Sequence, residues 1–284
     1  MTDFVSHNSR DPAPSRSGRV RLGAVGYLNA RPLVYRLDRS PRFDVRYDVP
    51  SECARLLHAH DIDVGLIPSI EYLRGGPYRI APDLAIASRG PVASVAIHTT
   101  RPIADVRSIA LDTSSRTSVA LVSVLCARRF RIQPRLESRG PDLDDMLAHC
   151  DAALIIGDNA LFQSAAGHGG STIEKIDLGE EWTGLTGLPF VWAFWAGRPE
   201  ALDADDVAAL QRARDEGVER PDELARAYLA GTPDRQEAGA RYLRENIKYY
   251  LGDEQRAGLE MFYRYAAEMR LVSNAAELRF YGRP

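Results

Sequence analysis

Residues 111–130, "LDTSSRTSVALVSVLCARRF", place a dense run of hydroxyl groups and one arginine between an apolar strand and an apolar-periodic helix. The polar run consists of Thr113, Ser114, Ser115, Arg116, Thr117 and Ser118. The first N–H groups of a helix lack intrahelical partners and favour negative charge, and an arginine adds a planar fork that suits a carboxylate. Two interpretations stay open: a capped helix with a polar first turn, or an anion site. Because the glycines of a phosphate loop are absent, a carboxylate is the expected anion.

Four further clusters carry groups that could contact a small ligand. The first two are "GYLNARP", with Asn29, and "SRGPVASV", with Ser88, Arg89, Gly90, Pro91 and Ser94. The other two are "IIGDNAL", with Gly157 and Asp158, and "TGLPFVWAFW", with Thr186 and Gly187. Each cluster also has a purely structural interpretation, since Asn29 and Asp158 suit helix caps and a Gly-Pro pair forms a turn. The alternative is that the Asn29 amide donates to and accepts from a substrate, while Asp158 acts as a general acid or base.

The composition is that of an ordinary soluble globular protein, with 284 residues of which 45% are hydrophobic and 26% charged. A net charge of −3 gives no general attraction to nucleic acid or to an anionic membrane. The three cysteines and six histidines show no metal-ligand spacing, so neither a metal nor another cofactor is expected. Residues 1–19 are polar and lack the apolar region of a signal peptide, which predicts a disordered lead and a cytoplasmic protein.

The order of apolar runs and helical patterns predicts an α/β protein with mainly parallel sheets. Three strand patterns alternate with helical patterns before residue 95, and a second, smaller block of strands and helices follows. The residues after 197 are almost wholly helical and need a partner for their apolar faces. These patterns predict a discontinuous first lobe, residues 20–95 plus 198–284, and an inserted second lobe, residues 96–197.

Two extended apolar segments would cross between these lobes. They are "SVAIHTT" (residues 94–100) on the way out and "VWAFWAG" (residues 191–197) on the way back, and we expect them to pair as hinge strands. Trp192 and Trp195 lie three residues apart on a strand, so at most one of them should face the cleft between the lobes. Such a cleft is a common place for a small ligand.

Taken in order, the motifs resemble the chorismate dehydratase family, whose members open the futalosine route to menaquinone. The motifs are "GYLNARPL", "SRGPVASV", "ALDTSSRTSVAL", "DAALIIGDNAL" and "DLGEEWTGLTGLPFVWAFW", and the resemblance covers about residues 20–200. It implies the type II periplasmic-binding-protein fold without a secretion signal, in agreement with the two-lobed prediction. A sister family that makes 1,4-dihydroxy-6-naphthoate carries a histidine base at the "IIGD" position. Here Gly157 and Asp158 stand there, which favours the dehydratase.

The resemblance implies that the chain binds chorismate and converts it to 3-[(1-carboxyvinyl)oxy]benzoate and water, as a carbon–oxygen lyase. The expected substrate-binding residues are Ser88, Arg89, Gly90, Pro91, Ser94, Ser114, Ser115, Arg116, Thr117, Ser118, Gly157, Thr186 and Gly187, with Asn29 and Asp158 as catalytic residues. On this hypothesis the hydroxyl run around Arg116 holds one carboxylate, the turn after Ser88 contacts the other, and Asn29 orients the reacting centre.

Two questions stay open at this point. The proton acceptor is either Asp158 or the enolpyruvyl carboxylate of the substrate itself, held in a reactive pose by the protein. The alternative functions are a cytosolic small-carboxylate binder or sensor and the sister naphthoate synthase. The sequence does not give the oligomeric state.

Overall fold

The computed structural model of the protein describes residues 18–163 and 173–282, so almost all of the predicted disordered lead lies outside the described residues. The strands are β1 (Val20–Val25), β2 (Phe43–Asp48), β3 (Val64–Pro68), β4 (Arg79–Ile80), β5 (Ile86–Ser88), β6 (Val95–Thr99), β7 (Ser108–Asp112), β8 (Arg135–Arg139), β9 (Ala152–Ile156), β10 (Glu174–Asp177) and β11 (Phe190–Gly197).

These strands form two mixed sheets. The first has the order β2-β1-β3-β11-β4, with β5 also paired to β11, and the second has the order β10-β6-β9-β7-β8. In the first sheet β2, β1 and β3 run parallel while β11 is antiparallel to β3. In the second sheet β8, β7 and β9 run parallel, while β6 is antiparallel to both of its neighbours, β9 and β10. The predicted α/β class is confirmed.

Helices cover both sheets. They are α1 (Pro50–His58), α2 (Arg116–Leu125), α3 (Leu143–His149), α4 (Gly157–Leu161), α5 (Leu178–Thr186), α6 (Ala204–Val218), α7 (Pro221–Tyr228), α8 (Gln236–Glu245) and α9 (Asp253–Glu268). The helix predicted after β1 is instead a 3₁₀ segment, Leu28–Val34, which contains Pro32; a proline removes a donor and disfavours a regular α-helix. Among the described residues, no helix is long and apolar enough to cross a membrane.

The C-terminal helices pack on the first sheet and on the 3₁₀ segment, as their apolar faces predict. A Cβ atom on Gly217 of α6 would lie 2.4 Å from the Pro32 carbonyl oxygen, so a glycine is needed for this close approach. In α9, Gly258 approaches the Pro189 carbonyl in the same way, with a Cβ distance of 2.0 Å. The helical tail therefore packs closely against the 3₁₀ segment and against Pro189, the residue before β11.

The prediction of paired hinge strands is wrong, because among the described residues β6 and β11 do not pair with each other. β6 pairs with β9 and β10, while β11 pairs with β3, β4 and β5. The two apolar strands thus satisfy their backbone groups in two different sheets. The chain crosses in the connections 89–94 and 187–189, which lie side by side: the Arg89 guanidinium donates to the Gly187 carbonyl oxygen at 3.5 Å.

We propose a division of the chain along its two sheets. The first lobe then comprises residues 20–88 and 190–282, and the second comprises residues 95–186. The difference from the sequence-based boundary at 197 arises because β11 is a central strand of the first sheet.

Candidate active site

A cavity lies between the two lobes. The walls are mainly apolar, and the polar side chains that line it are Tyr27, Asn29, Ser94, Ser115 and Ser118. No charged side chain and no histidine is found among the described residues that line it. The cavity therefore offers hydroxyls, an amide and backbone groups to a ligand.

Asn29 lies just after the carboxyl end of β1, in the 3₁₀ segment whose capping residue is Tyr27. Its capping interpretation therefore does not hold. The Asn29 Oδ1 atom is buried and has no hydrogen-bond partner in the part of the chain that the structure describes. An unsatisfied buried acceptor is costly, and a ligand that donates a hydrogen bond to it removes that cost.

Ser115 and Ser118 bring the N-terminus of α2 to the cavity. Ser115 is the N-cap of α2, and its side chain accepts from the Ser118 N–H at 3.4 Å. The Ser118 hydroxyl also donates to Ser115 Oγ at 3.0 Å. The capping interpretation of the hydroxyl run is thus confirmed for Ser115. The anion interpretation stays a prediction, and it is compatible with the cap because the N-terminus of α2 borders the cavity.

The other residues of that run contact the protein instead of lining the cavity. The Arg116 guanidinium donates to Glu71 Oε2 of the first lobe at 2.8 Å. Thr117 Oγ1 accepts from the Ile70 N–H at 3.1 Å. Ser114 Oγ donates to Asp112 Oδ1 at 2.6 Å. One face of the α2 N-terminus, with Ser115 and Ser118, therefore lines the cavity, while Arg116 and Thr117 contact the first lobe.

Asp158 lies beside the cavity without lining it, and its carboxylate joins the two lobes. It accepts from the Leu28 N–H at 3.2 Å and from the Tyr228 hydroxyl. Burial raises the pKa of Asp158 above its ordinary value, and these two hydrogen bonds only partly oppose that rise. Both carboxylate oxygens are thus engaged by groups of the first lobe.

The residues of the "SRGPVASV" and "TGLP" motifs mostly form the two crossing connections. Those outside the cavity lining are Ser88, Arg89, Gly90, Pro91, Thr186 and Gly187. Arg89 is exposed and pairs with Glu254 at 2.7 Å, while Ser88 Oγ accepts from the Trp192 indole N–H at 3.1 Å. Gly187 ends α5 in the left-handed conformation. Their placement indicates that these residues support the hinge and the cavity wall.

Gly157 faces Tyr27 across the cleft. Its φ angle is +64°, and a Cβ atom there would lie 2.9 Å from Cε2 of the Tyr27 ring. A glycine therefore both adopts the left-handed backbone without strain and lets the tyrosine ring approach the second lobe. The Gly157 N–H donates to the Ser94 carbonyl oxygen at 2.8 Å, which fixes two cavity residues relative to each other.

Of the residues singled out from the sequence, the structure brings Asn29, Ser94, Ser115, Ser118 and Gly157 together around one cavity. Trp192 lines it while Trp195 is fully buried in the core, in line with the prediction that at most one of the two faces the cleft.

The sequence analysis did not single out three tyrosines near the site, Tyr27, Tyr228 and Tyr242. Tyr27 could have been found, since it stands beside Asn29 at a strand end. Tyr228 and Tyr242 lie in the helical tail, where no local pattern marks them.

Two sequence comparisons relate the chain to known proteins. Residues 20–268 match the sequence model of a family described as menaquinone biosynthesis. The chain is 34% identical over 259 residues to a curated chorismate dehydratase of Thermus thermophilus, an alignment that covers 85% of this chain and 93% of the relative.

Solved structures share the fold. A crystal structure of an Archaeoglobus fulgidus protein superposes with a TM-score of 0.73 at 18% identity, covering 90% of this chain and 100% of that one. The periplasmic aliphatic sulphonate binding protein SsuA of Escherichia coli superposes with a TM-score of 0.62 at 16% identity, covering 92% of this chain and 96% of that one. The architecture is thus periplasmic-binding-protein-like, and from the sequence matches the chain belongs to the menaquinone biosynthesis family that includes chorismate dehydratase.

Proposed function

We propose that the protein is a chorismate dehydratase, a hydro-lyase that converts chorismate to 3-[(1-carboxyvinyl)oxy]benzoate and water. The observation that carries the proposal is the Asn29 amide, whose buried Oδ1 belongs to a residue that lines the cavity between the lobes in a chain of this family. The proposal includes a cytoplasmic location. The reaction produces an aromatic ring, so the site must chiefly orient the substrate and assist the departure of the hydroxyl group.

The two bonds that break lie next to each other on the ring. A base takes the ring proton beside the ether oxygen, the C–O bond of the neighbouring hydroxyl breaks, and the hydroxyl leaves as water with the addition of one proton. The cavity lining contains no described side chain that is an ordinary base. Asp158 is already engaged by Leu28 and Tyr228. We therefore favour the enolpyruvyl carboxylate of the substrate as the proton acceptor, with Asn29 holding the reactive pose.

The substrate is a dianion, and hydrogen-bond donors must meet its charge. The α2 N-terminus supplies free N–H groups together with the hydroxyls of Ser115 and Ser118, which suits one carboxylate. Ser94 supplies a further hydroxyl to the cavity. The sequence predicts that Arg116 binds a substrate carboxylate directly. In the structure its guanidinium pairs with the carboxylate of Glu71 instead.

The proposal is tested by incubating the purified protein with chorismate and following the benzoate product by chromatography and absorbance. We expect conversion that depends on the protein and that is lost on replacing Asn29. Binding of chorismate by calorimetry without conversion would instead identify a small-carboxylate binder or sensor. Conversion of the cyclic futalosine-pathway intermediate, with chorismate untouched, would identify the sister naphthoate synthase.

A further inference from the structure

Behind the cavity wall lies a tyrosine that contacts two of the cavity's polar residues. Tyr242 belongs to α8, is only 2% exposed, and donates its hydroxyl proton to Ser94 Oγ at 2.7 Å. The side chain of Asn29 lies against the same hydroxyl, and its hydrogen bond acts to lower the pKa of Tyr242 against the larger rise that burial causes. A single buried phenol therefore contacts both Ser94 and Asn29.

The hydrogen bond from Tyr242 to Ser94 sets how the protons of this group are arranged. A phenol has one proton, and here Ser94 accepts it. The phenol oxygen can then only accept from Asn29, and the side-chain donor of an asparagine is its NH₂ group. That orientation directs the NH₂ toward Tyr242 and leaves Oδ1 free, in agreement with the buried, unpartnered Oδ1 atom among the described residues.

This arrangement fixes what each residue offers a ligand. Ser94 Oγ accepts a hydrogen bond from Tyr242, so its own O–H can donate to an acceptor such as a carboxylate. Asn29 Oδ1 is an acceptor and suits a donor such as a ring hydroxyl. Without the phenol, both side chains could rotate, and the asparagine could present either end.

We infer that Tyr242 is a positioning residue, which sets Ser94 as a hydrogen-bond donor and Asn29 as an acceptor toward the substrate. The inference rests on the proposed function, because it assigns the two residues to a ligand with a carboxylate and a hydroxyl group. Tyr242 acts only through these two side chains and does not line the cavity.

A neighbouring tyrosine provides a matched control. Tyr249 is also buried, at 4% exposure, and its hydroxyl has no hydrogen-bond partner among the described residues. The substitutions Tyr242→Phe and Tyr249→Phe therefore remove the same atom from the same type of environment. Only the first of them removes a hydrogen bond to a cavity residue.

The experiment measures kcat and KM with chorismate for the wild type, Y242F, Y249F, S94A and the double variant S94A/Y242F, with thermal unfolding of each. We expect Y242F to lose at least about tenfold in kcat/KM, with a higher KM and a lower kcat, while Y249F stays within about twofold of the wild type. The loss in the double variant should be smaller than the product of the single losses, since Tyr242 acts in part through Ser94.

The outcomes separate the two proposals. A wild type that neither binds nor converts chorismate contradicts the proposed function and, with it, this inference. A wild type that works, with Y242F behaving like Y249F or with losses that simply multiply in the double variant, contradicts the inference alone. S94A breaks the same hydrogen bond from the cavity side with Tyr242 in place, so an unchanged KM in S94A also contradicts the inference, even if Y242F fails to fold.

Discussion

Arg116 of the second lobe donates to Glu71 of the first lobe across the cleft, with 2.8 Å between Nη1 and Oε2. The Glu71 side chain is fully buried and also contacts His58 at 3.1 Å and Arg74 at 3.0 Å. A buried carboxylate is stable in the ionised form only when it is paired and hydrogen-bonded. Here the side chains of His58, Arg74 and Arg116 provide these contacts. The arginine of the hydroxyl run thus joins the lobes beside the cavity.

Acid should weaken this contact. Burial alone would raise the pKa of Glu71, but the hydrogen bonds from His58 and Arg74 and the charge of Arg116 outweigh it and hold the pKa below the usual 4.5. The resulting stabilisation is complete above the unfolded-state pKa and is lost as pH falls through the lower folded-state pKa. Glu71→Gln should therefore lower the free energy of unfolding by about 2 kcal/mol at pH 7 and flatten its pH dependence below about pH 4.5.

Urea denaturation between pH 7 and pH 3 measures this effect. Glu52→Gln is the matched control, because Glu52 pairs with Arg55 on the exposed side of α1, where solvent screens the interaction. We expect its pH profile to stay close to that of the wild type. Equal profiles for Glu71→Gln and Glu52→Gln would show that the buried network around Glu71 does not contribute to the pH dependence of the free energy of unfolding.

Asn29→Ala should nearly abolish turnover. The substitution removes the buried amide that orients the reacting centre, and misplacement of a reacting group costs on the order of 100-fold in rate. We expect kcat to fall by at least that factor, with the folded state checked by thermal unfolding. A variant that retains more than about a tenth of the wild-type kcat would contradict the catalytic role of Asn29.

Asp158→Asn distinguishes the two candidate proton acceptors. If the substrate carboxylate takes the proton, the variant keeps much of its kcat and loses mainly affinity, since Asp158 links the lobes through Leu28 and Tyr228. The measurement is kcat and KM together with chorismate binding by calorimetry. Complete loss of kcat with binding intact would instead make Asp158 the base.

Much of the fold was predictable because its signals are local. The alternation of strands and helices and the cap at Ser115 both follow from neighbouring residues. The pairing of β11 was not predictable, since any apolar strand can satisfy its backbone groups in either sheet. The sequence pattern assigned β11 (Phe190–Gly197) to the inserted lobe, whereas the structure pairs it in the first sheet.

The cavity was only partly predictable for a related reason. Residue type marks Asn29, Ser94 and the hydroxyl run as polar groups at strand ends, but it does not say which way each one points. Arg116 has the chemistry to bind a carboxylate, and the carboxylate it contacts is Glu71, which is 45 residues away along the chain. Tyr242 contributes through a contact with Ser94 across 148 residues, which no local pattern reveals.

Gly157→Ala should impair ligand binding more than it impairs folding. An alanine there carries a positive φ of +64° and places Cβ 2.9 Å from the Tyr27 ring, so the ring or the second lobe must move. The backbone strain costs about 1 kcal/mol, whereas the displaced tyrosine widens the cavity and should raise KM for chorismate by about tenfold.

Gly282→Ala is the control: its φ is +70° and a Cβ atom there meets nothing within 4 Å, so it carries the strain without the clash. If both variants lose similar stability but only Gly157→Ala raises KM, the contact between Tyr27 and Gly157 shapes the site; equal KM values would show that it does not.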